Sequence, residues 1–208
     1  MTKGELVDQV RRLLSGGNIQ DDFRWTEQEI GAAIGQARDV RVKYSMFENG
    51  KMTDLGYAMF PDLLKAYFLP VVCDSVRDRY YTDLSVKYVG GLPENKGLYQ
   101  VSFVKSEQSA FKQAQPHFVG GYYGLDSYQE IGITYWPENG TRIWFQNWKQ
   151  TYPQEVMVKI IPRVEDLDDT DELPMPADLI WPVIGDVLKM YGMEMPTDKV
   201  NDSANITT

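Results

Sequence analysis

The order of the hydrophobic repeats along this chain constrains its fold more than any single motif. Two segments near the N-terminus repeat apolar residues at helical spacing, a long middle part is rich in β-branched and aromatic residues, and a further helical segment precedes a polar end. An apolar helix face has to be covered by another element. We therefore predict an α+β fold in which N-terminal and C-terminal helices form a small helical bundle and carry an inserted antiparallel β-sandwich or barrel-like module.

The helical segments carry start and stop signals. Thr2 with Glu5, and Thr26 with Glu29, have the spacing of capping boxes. The last helix is predicted to end at Gly192, and either to begin near Pro182 or to kink there, because proline lacks a backbone N–H. The predicted apolar stripes are Leu6, Val10, Leu13 and Leu14; Ile30, Ala33, Ile34 and Ala37, running on toward Val40; and Ile180, Trp181, Ile184, Val187, Leu188 and Tyr191.

The middle of the chain is predicted to form strands. Five segments combine β-branched and aromatic residues, namely 86–89, 98–104, 131–136, 141–145 and 156–161. Asn139-Gly140 lies between two of them and is the most favourable short hairpin signal, because both residues tolerate positive φ. The strands around Tyr135 and Ile143 are therefore expected to pair antiparallel.

These patterns divide the chain into three parts. Residues 1–50 plus 173–192 are predicted to form a helical platform, 51–172 an inserted β module, and 193–208 an extended C-terminal tail. The module ends in an acidic connector, 165–172, which has six carboxylates in eight positions. It lacks the glycine and the bidentate glutamate that a calcium loop of the EF-hand type requires. We expect a solvated connector rather than a metal site.

Composition narrows the function classes. The 208-residue chain has a net charge of −9, which argues against an extended basic surface that grips nucleic acid. One cysteine gives no internal disulfide framework. No apolar run approaches the roughly 18 residues that a membrane span needs, and neither secretion nor membrane insertion is expected.

Residues that could carry chemistry are scarce. His117 is the only histidine and Cys73 the only cysteine, which excludes by count a zinc cluster or a site with two histidines. A Cys-His pair stays open, although Cys73 lies in the apolar run 68–73, where a buried, inert thiol is expected. Arg38, Arg41 and Lys43 are interpreted as a solvated face that complements the end of a helix. We predict that the protein is not an enzyme and needs no cofactor and no metal.

The aromatic pair Tyr80-Tyr81 is followed by Leu92-Pro93 and Lys96-Gly97. This spacing, together with further stretches, resembles the head-tail connector, or portal adaptor ring, proteins of short-tailed bacteriophages of the crAss-like type. The chain departs from their pattern at Ser85, where a proline is expected. The similar stretches are 80–84, 91–101, 135–143, 173–176 and 196–202.

The resemblance implies a virion subunit at the head-tail junction, assembled in the host cytoplasm. Its implied partners are the portal protein, copies of itself in a ring that is dodecameric by resemblance, and other tail or ring proteins. DNA would pass through the channel without specific binding, since an acidic wall does not trap phosphates, and no membrane is involved. The helices would surround this channel and the β module would face outward.

The tail is predicted to have no order of its own, because it is polar and lacks a period. Its isolated apolar residues suit anchoring in another subunit, and similar connectors use terminal extensions in this way. The predicted residues for docking on the portal or a neighbouring subunit are Trp181, Met190, Tyr191, Met193, Met195, Val200 and Ile206.

Two alternatives stay open. A glycan-binding β module of a tail appendage would use aromatic faces to stack on sugar rings, although such residues more often form sheet core or a subunit interface. A scaffold or chaperone that leaves the finished particle is the other. The aromatic residues concerned are Tyr122, Tyr123, Tyr128, Tyr135, Trp136, Trp144 and Trp148.

Overall fold

The computed structural model describes residues 1–16, 24–48, 61–90, 97–105, 110–114 and 132–193. These residues form three α-helices and eight strands, which confirms the α+β class. The helices are α1 (Lys3–Leu14), α2 (Glu27–Glu48) and α3 (Ala177–Met190). The strands are β1 (Lys65–Pro70), β2 (Val72–Asp74), β3 (Arg79–Asp83), β4 (Leu98–Phe103), β5 (Lys112–Gln113), β6 (Thr134–Glu138), β7 (Arg142–Gln146) and β8 (Glu155–Ile160).

The three helices pack on one another although α3 is far from the others in sequence. Both predicted capping boxes form: the Thr2 N–H donates to Glu5 at 2.8 Å, and the Thr26 N–H donates to Glu29 at 2.8 Å. Val40 is exposed, so the expected extension of the α2 stripe toward it was wrong. The shared core of the helices is made mainly by Leu6, Val7, Val10, Leu14, Ile30, Ile34, Ala37, Val183, Ile184, Val187 and Leu188.

Helix α3 starts earlier than its proline suggests. It begins at Ala177, five positions before Pro182, so the first of the two predicted alternatives, a start near Pro182, was wrong, and a kink at Pro182 stays a prediction. Its end matches the prediction. Gly192 has φ +76, its N–H donates to the Lys189 carbonyl at 3.0 Å, and the Met193 N–H donates to the Leu188 carbonyl at 2.9 Å. These two bonds form a Schellman cap.

The strands form a three-stranded sheet, in the order β1-β8-β4, and a five-stranded sheet, in the order β2-β3-β7-β6-β5. Every pairing is antiparallel except β5 with β6. The two sheets share one hydrophobic core, to which β8 contributes Val156 and Val158 and β7 contributes Ile143 and Phe145. Tyr67 of β1 packs against both this core and the helical core, and so joins the two parts of the fold.

The hairpin signal was correct. Asn139 and Gly140 have φ +54 and +73, and the Thr141 N–H donates to the Glu138 carbonyl at 3.3 Å. Strands β6 and β7 pair across this turn.

Other strand predictions were less accurate. Segment 86–89 makes only an isolated bridge, between Tyr88 and Pro162. The predicted strand 131–136 starts only at Thr134 and runs to Glu138, with residue 131 outside the described part. Strands β1, β2, β3 and β5 were not predicted.

The acidic connector forms backbone hydrogen bonds with the N-terminus of α1. The Lys3 N–H donates to the Asp171 carbonyl at 3.0 Å and the Gly4 N–H to the Asp169 carbonyl at 2.9 Å. A Cβ at Gly4 would lie 3.0 Å from that Asp169 oxygen, so the close approach favours glycine. The carboxylates of the connector are mostly exposed. Its backbone carbonyls accept hydrogen bonds from the first N–H groups of α1, which have no acceptor within the helix. Within the described residues, the structure contains no helix long and apolar enough to span a bilayer.

Candidate interaction surfaces

Helix α3 exposes an apolar side chain on each flank of its buried face. Trp181 is 54% exposed and Met190 is 48% exposed, whereas Val183, Ile184, Val187 and Leu188 are buried. The two exposed residues are nine positions apart, which is two and a half helical turns, and therefore lie on opposite sides of the helix. The structure does not bring them into one patch. Each is a separate candidate contact point.

Two further predicted docking residues are used within the subunit. The Tyr191 ring lies 4.9 Å from the Trp25 ring, between centroids. Both Tyr191 and Met193 are half-buried against the helical core. Burial raises the pKa of the Tyr191 hydroxyl, with a smaller contribution from Glu29. These two side chains therefore anchor the end of α3, and Met195, Val200 and Ile206 lie outside the described residues.

An open groove of about 1130 Å³ lies between α1 and the start of α2. Val7, Trp25 and Gly31 supply its apolar and small residues, and Lys3 and Arg11 line it with charge. A Cβ at Gly31 would lie 3.7 Å from the Lys3 side chain, which is ordinary van der Waals contact. The groove begins beside the end of α3, because Trp25 both lines it and contacts Tyr191.

The strand edge formed by β1 and β2 also carries exposed apolar residues. Phe68, Val72 and Val76 are exposed there, and each of the two strands is the outermost of its sheet. Cys73 is exposed as well, so the expectation of a buried thiol was wrong. Residues 68–72 alternate between more and less exposed positions instead of lying in the interior, which is the pattern of an edge strand.

The aromatic residues of the sheet are largely covered. Trp144 is 2% exposed, the Arg77 guanidinium lies 5.1 Å from its ring centroid, and Arg142 lies 5.5 Å from it. The Trp144 Nε1–H donates to Glu138 at 2.6 Å. Arg79 lies 5.8 Å from the Trp136 ring centroid, and Trp136 is half-buried. Because guanidinium groups already lie against these rings, this face is poorly suited to stacking on a sugar.

The remaining aromatic residues of the glycan hypothesis divide into two groups. Tyr135 and Trp148 are buried, so the interpretation as sheet core is confirmed for them and for Trp144. Burial also raises the pKa of Tyr135 to about 12, with a smaller contribution from Tyr88. Tyr122, Tyr123 and Tyr128 lie outside the described residues.

Arg38 is a buried cation that the sequence analysis placed in solvent. Its side chain is 0% exposed, and Nη2 donates to the Pro162 carbonyl at 2.7 Å and lies 3.3 Å from the Asp39 carboxylate. Nε and Nη1 have no hydrogen-bond partner within the described structure. Burial lowers the pKa of Arg38 and raises that of Asp39, and in each case the attraction between the two charges opposes the shift. A guanidinium nevertheless stays protonated in proteins.

The sequence did contain a weak signal for this burial. Arg38 continues the i, i+4 series from Ile30 and Ile34 to Val42, and all three of these apolar residues are buried. The interpretation of Arg38, Arg41 and Lys43 as a solvated cationic face was therefore wrong for Arg38. Helix α2 also continues to Glu48, so Arg38 and Arg41 do not lie in its last turn.

The acidic groups are held by ion pairs rather than arranged around a cation. Lys65 Nζ donates to the Asp171 carboxylate at 2.9 Å, and Lys3 Nζ lies 3.3 Å from Asp169. Among the residues with a described position, no group of three or more His, Cys, Asp or Glu side chains is arranged to hold a metal. His117 lies outside those residues, so its relation to Cys73 stays a prediction.

The family model described as "Phage tail ring protein 2" matches residues 5–205, a range that covers both sheets, α2, α3 and all of α1 except its first two residues. No curated protein matches the sequence.

Proposed function

Since this chain belongs to the phage tail ring protein 2 family of crAss-like phages, we propose that it is a head-tail connector subunit that docks under the portal. The family assigns it to the bacteriophage virion as a structural ring protein that assembles with copies of itself and with other tail proteins. Beyond the family assignment, we propose that the protein forms a dodecameric ring under the portal and contributes to the wall of the DNA channel. It requires no catalytic step and no cofactor.

The observation that carries the proposal is the pair of exposed apolar side chains on α3. Trp181 and Met190 lie on opposite flanks of a helix whose remaining apolar face is covered. A subunit in a closed ring touches two neighbours through two different surfaces. Apolar side chains on both flanks suit such a subunit better than they suit a monomeric lectin.

The net charge supports passage of DNA rather than its capture. The subunit has 30 Asp and Glu against 21 Lys and Arg, a net charge of −9, whereas nonspecific DNA affinity comes mainly from counterion release by clustered Lys and Arg. We assign the helical platform, residues 1–50 plus 173–192, to the channel side. The β module, residues 51–172, is assigned to the outside of the ring.

Negative-stain images of the purified protein with and without portal protein test this function. Rings with a central channel on the portal are expected. Monomers that do not bind the portal but bind a glycan would contradict this function. Rings that form without binding the portal would place the protein elsewhere in the tail.

The tail, residues 193–208, is proposed to contribute to docking. Truncation after Gly192 would also remove Met193, whose N–H caps α3 and whose side chain packs on the helical core. Truncation after Met193 keeps that cap and is the cleaner variant. Co-sedimentation with the portal should weaken, and unchanged binding and ring stability would exclude the docking role.

A further inference from the structure

We propose that the groove between α1 and α2 binds the C-terminal tail of the adjacent copy in the ring, along residues 200–206. The inference deepens the proposed function and rests on the ring that this function requires. It identifies the occupant of the groove as a named segment of this chain, and it explains why the tail places single apolar residues among polar ones.

The groove has the size and the chemistry of a peptide site. Its volume of about 1130 Å³ is slightly above the range of typical small-molecule pockets, roughly 300–1,000 Å³, which leaves room for a peptide. Trp25 provides an apolar contact, and the small, exposed side chain of Ala32 leaves room for a backbone beside α2. Lys3 and Asp8 lie at the same groove and provide polar partners for an extended backbone.

The length of the tail indicates that it occupies the groove of a neighbouring copy and not that of its own subunit. Helix α1 has 12 residues and is therefore about 18 Å long. An extended chain spans roughly 3.3 Å per residue, so Val200 lies about 23 Å of chain beyond Met193, and Ile206 about 43 Å. A tail that entered its own groove beside Trp25 would have left it before Ile206. The groove is lined by α1 from Lys3 to Arg11, about 12 Å of helix, so a neighbour's extended tail spans it within the roughly 20 Å between Val200 and Ile206.

The position of Met193 also supports binding of the tail to the neighbouring copy. Its N–H completes the α3 cap, and its side chain packs against the core of its own subunit. The tail therefore starts from a fixed point, and the 15 residues that follow it in the sequence can reach roughly 50 Å when extended. A fixed origin with a long reach suits an arm that crosses to the next copy.

Photo-crosslinking in the full-length chain tests the inference. A photoreactive residue replaces Val200, and copies labelled with ¹⁴N or ¹⁵N are mixed before rings are assembled with the portal protein. Mass spectrometry of the crosslinked peptides should find adducts with α1 or with residues 25–32. The adducts should join copies of different isotope.

Substitution in the groove provides the matched comparison. Ala32→Arg places a long side chain in the groove, whereas Gln36→Arg adds the same group one turn further along α2, away from the groove lining. Both positions are exposed. The first should lower the yield of mixed-isotope adducts about tenfold, which corresponds to ~1.4 kcal/mol of binding free energy, and the second should leave it unchanged.

The outcomes separate the inference from the proposed function. Rings whose adducts lie on another surface, or join positions of one copy only, overturn the inference and leave the ring function intact. Equal yields for Ala32→Arg and Gln36→Arg also overturn it. Absence of any ring under the portal contradicts the proposed function and the inference together.

Discussion

Arg41 on α2 forms a bidentate ion pair with Asp186 on α3. Nε donates to one carboxylate oxygen at 2.6 Å and Nη2 to the other at 2.9 Å, across 145 positions of sequence. The hydrogen bond to Asp186 raises the pKa of Arg41. The pair joins two helices that the β module separates in the chain, and so fixes one end of the fold against the other.

Arg41→Lys should therefore destabilise the protein by up to about 1 kcal/mol, because lysine keeps the charge and loses the planar fork. The free energy of unfolding in urea measures this. A double-mutant cycle with Asp186→Asn should show positive coupling, and Arg12→Lys at an exposed position of α1 is the control. Additive effects of Arg41→Lys and Asp186→Asn would show that the ion pair does not join the helices in solution.

Leu188→Ala should cost on the order of 2 to 5 kcal/mol, because it opens a cavity between α3 and the other two helices. Leu188 is a buried member of the helical core. Lys189→Ala, on the exposed side of the same turn, should change stability by no more than about 0.5 kcal/mol. Similar denaturation midpoints for both variants would mean that the helices do not pack as a unit.

Arg38→Ala should be among the most destabilising changes, at about 3–5 kcal/mol, because it leaves the Asp39 charge and the Pro162 carbonyl without their buried partner. Arg38→Met retains most of the side-chain volume and replaces a desolvated charge with an apolar group, so its cost should be smaller. Thermal or urea unfolding of the two variants distinguishes these effects. Equal losses would indicate that the charge itself, and not the filled volume, stabilises this position.

The pH dependence should include a contribution from Asp171. The Lys65 ammonium, followed by the Asp168 N–H, hydrogen-bonds to this carboxylate and lowers its pKa below the ordinary value near 3.8. A lowered pKa in the folded state gives stability that is present above pH 4 and is lost as the pH falls through the folded pKa. Asp171→Asn should therefore cost about 0.2–1 kcal/mol at pH 7 and less at pH 3.

Urea unfolding at both pH values measures the Asp171 effect, with Asp8→Asn at an exposed position of α1 as the control. A cost for Asp171→Asn that stays constant from pH 7 to pH 3 would contradict the assignment.

Local sequence signals correctly predicted the helix caps and the hairpin turn. Capping at Thr2 and Thr26 and the turn at Asn139-Gly140 depend on a few neighbouring residues, and each formed as predicted. Strands β1 to β3 have no such signal, because an apolar run such as 68–73 fits several structures.

Burial of charge and exposure of apolar groups depend on distant contacts, which a single sequence does not display. The buried Arg38, for example, donates a hydrogen bond to the Pro162 carbonyl, 124 positions away in the sequence. Trp181 is exposed because the other helices cover only one face of α3. Trp181 and Met190 were predicted as docking residues, but the hydrophobic pattern also placed Trp181 on the buried face, and only the structure shows that both side chains are exposed.

Trp181→Ala and Met190→Ala should separate stability from assembly. Both side chains are about half exposed, so each change should cost less than the 2 to 5 kcal/mol typical of buried sites. Assembly should suffer more, because large apolar side chains that become buried at an interface contribute most of its binding energy. Sedimentation of rings formed with the portal protein measures the effect, and Lys189→Ala is the control on the same helix. If ring yield follows thermal stability for all three variants, the flanks of α3 are not the contact points, and the β1–β2 edge with Phe68 becomes the surface to test.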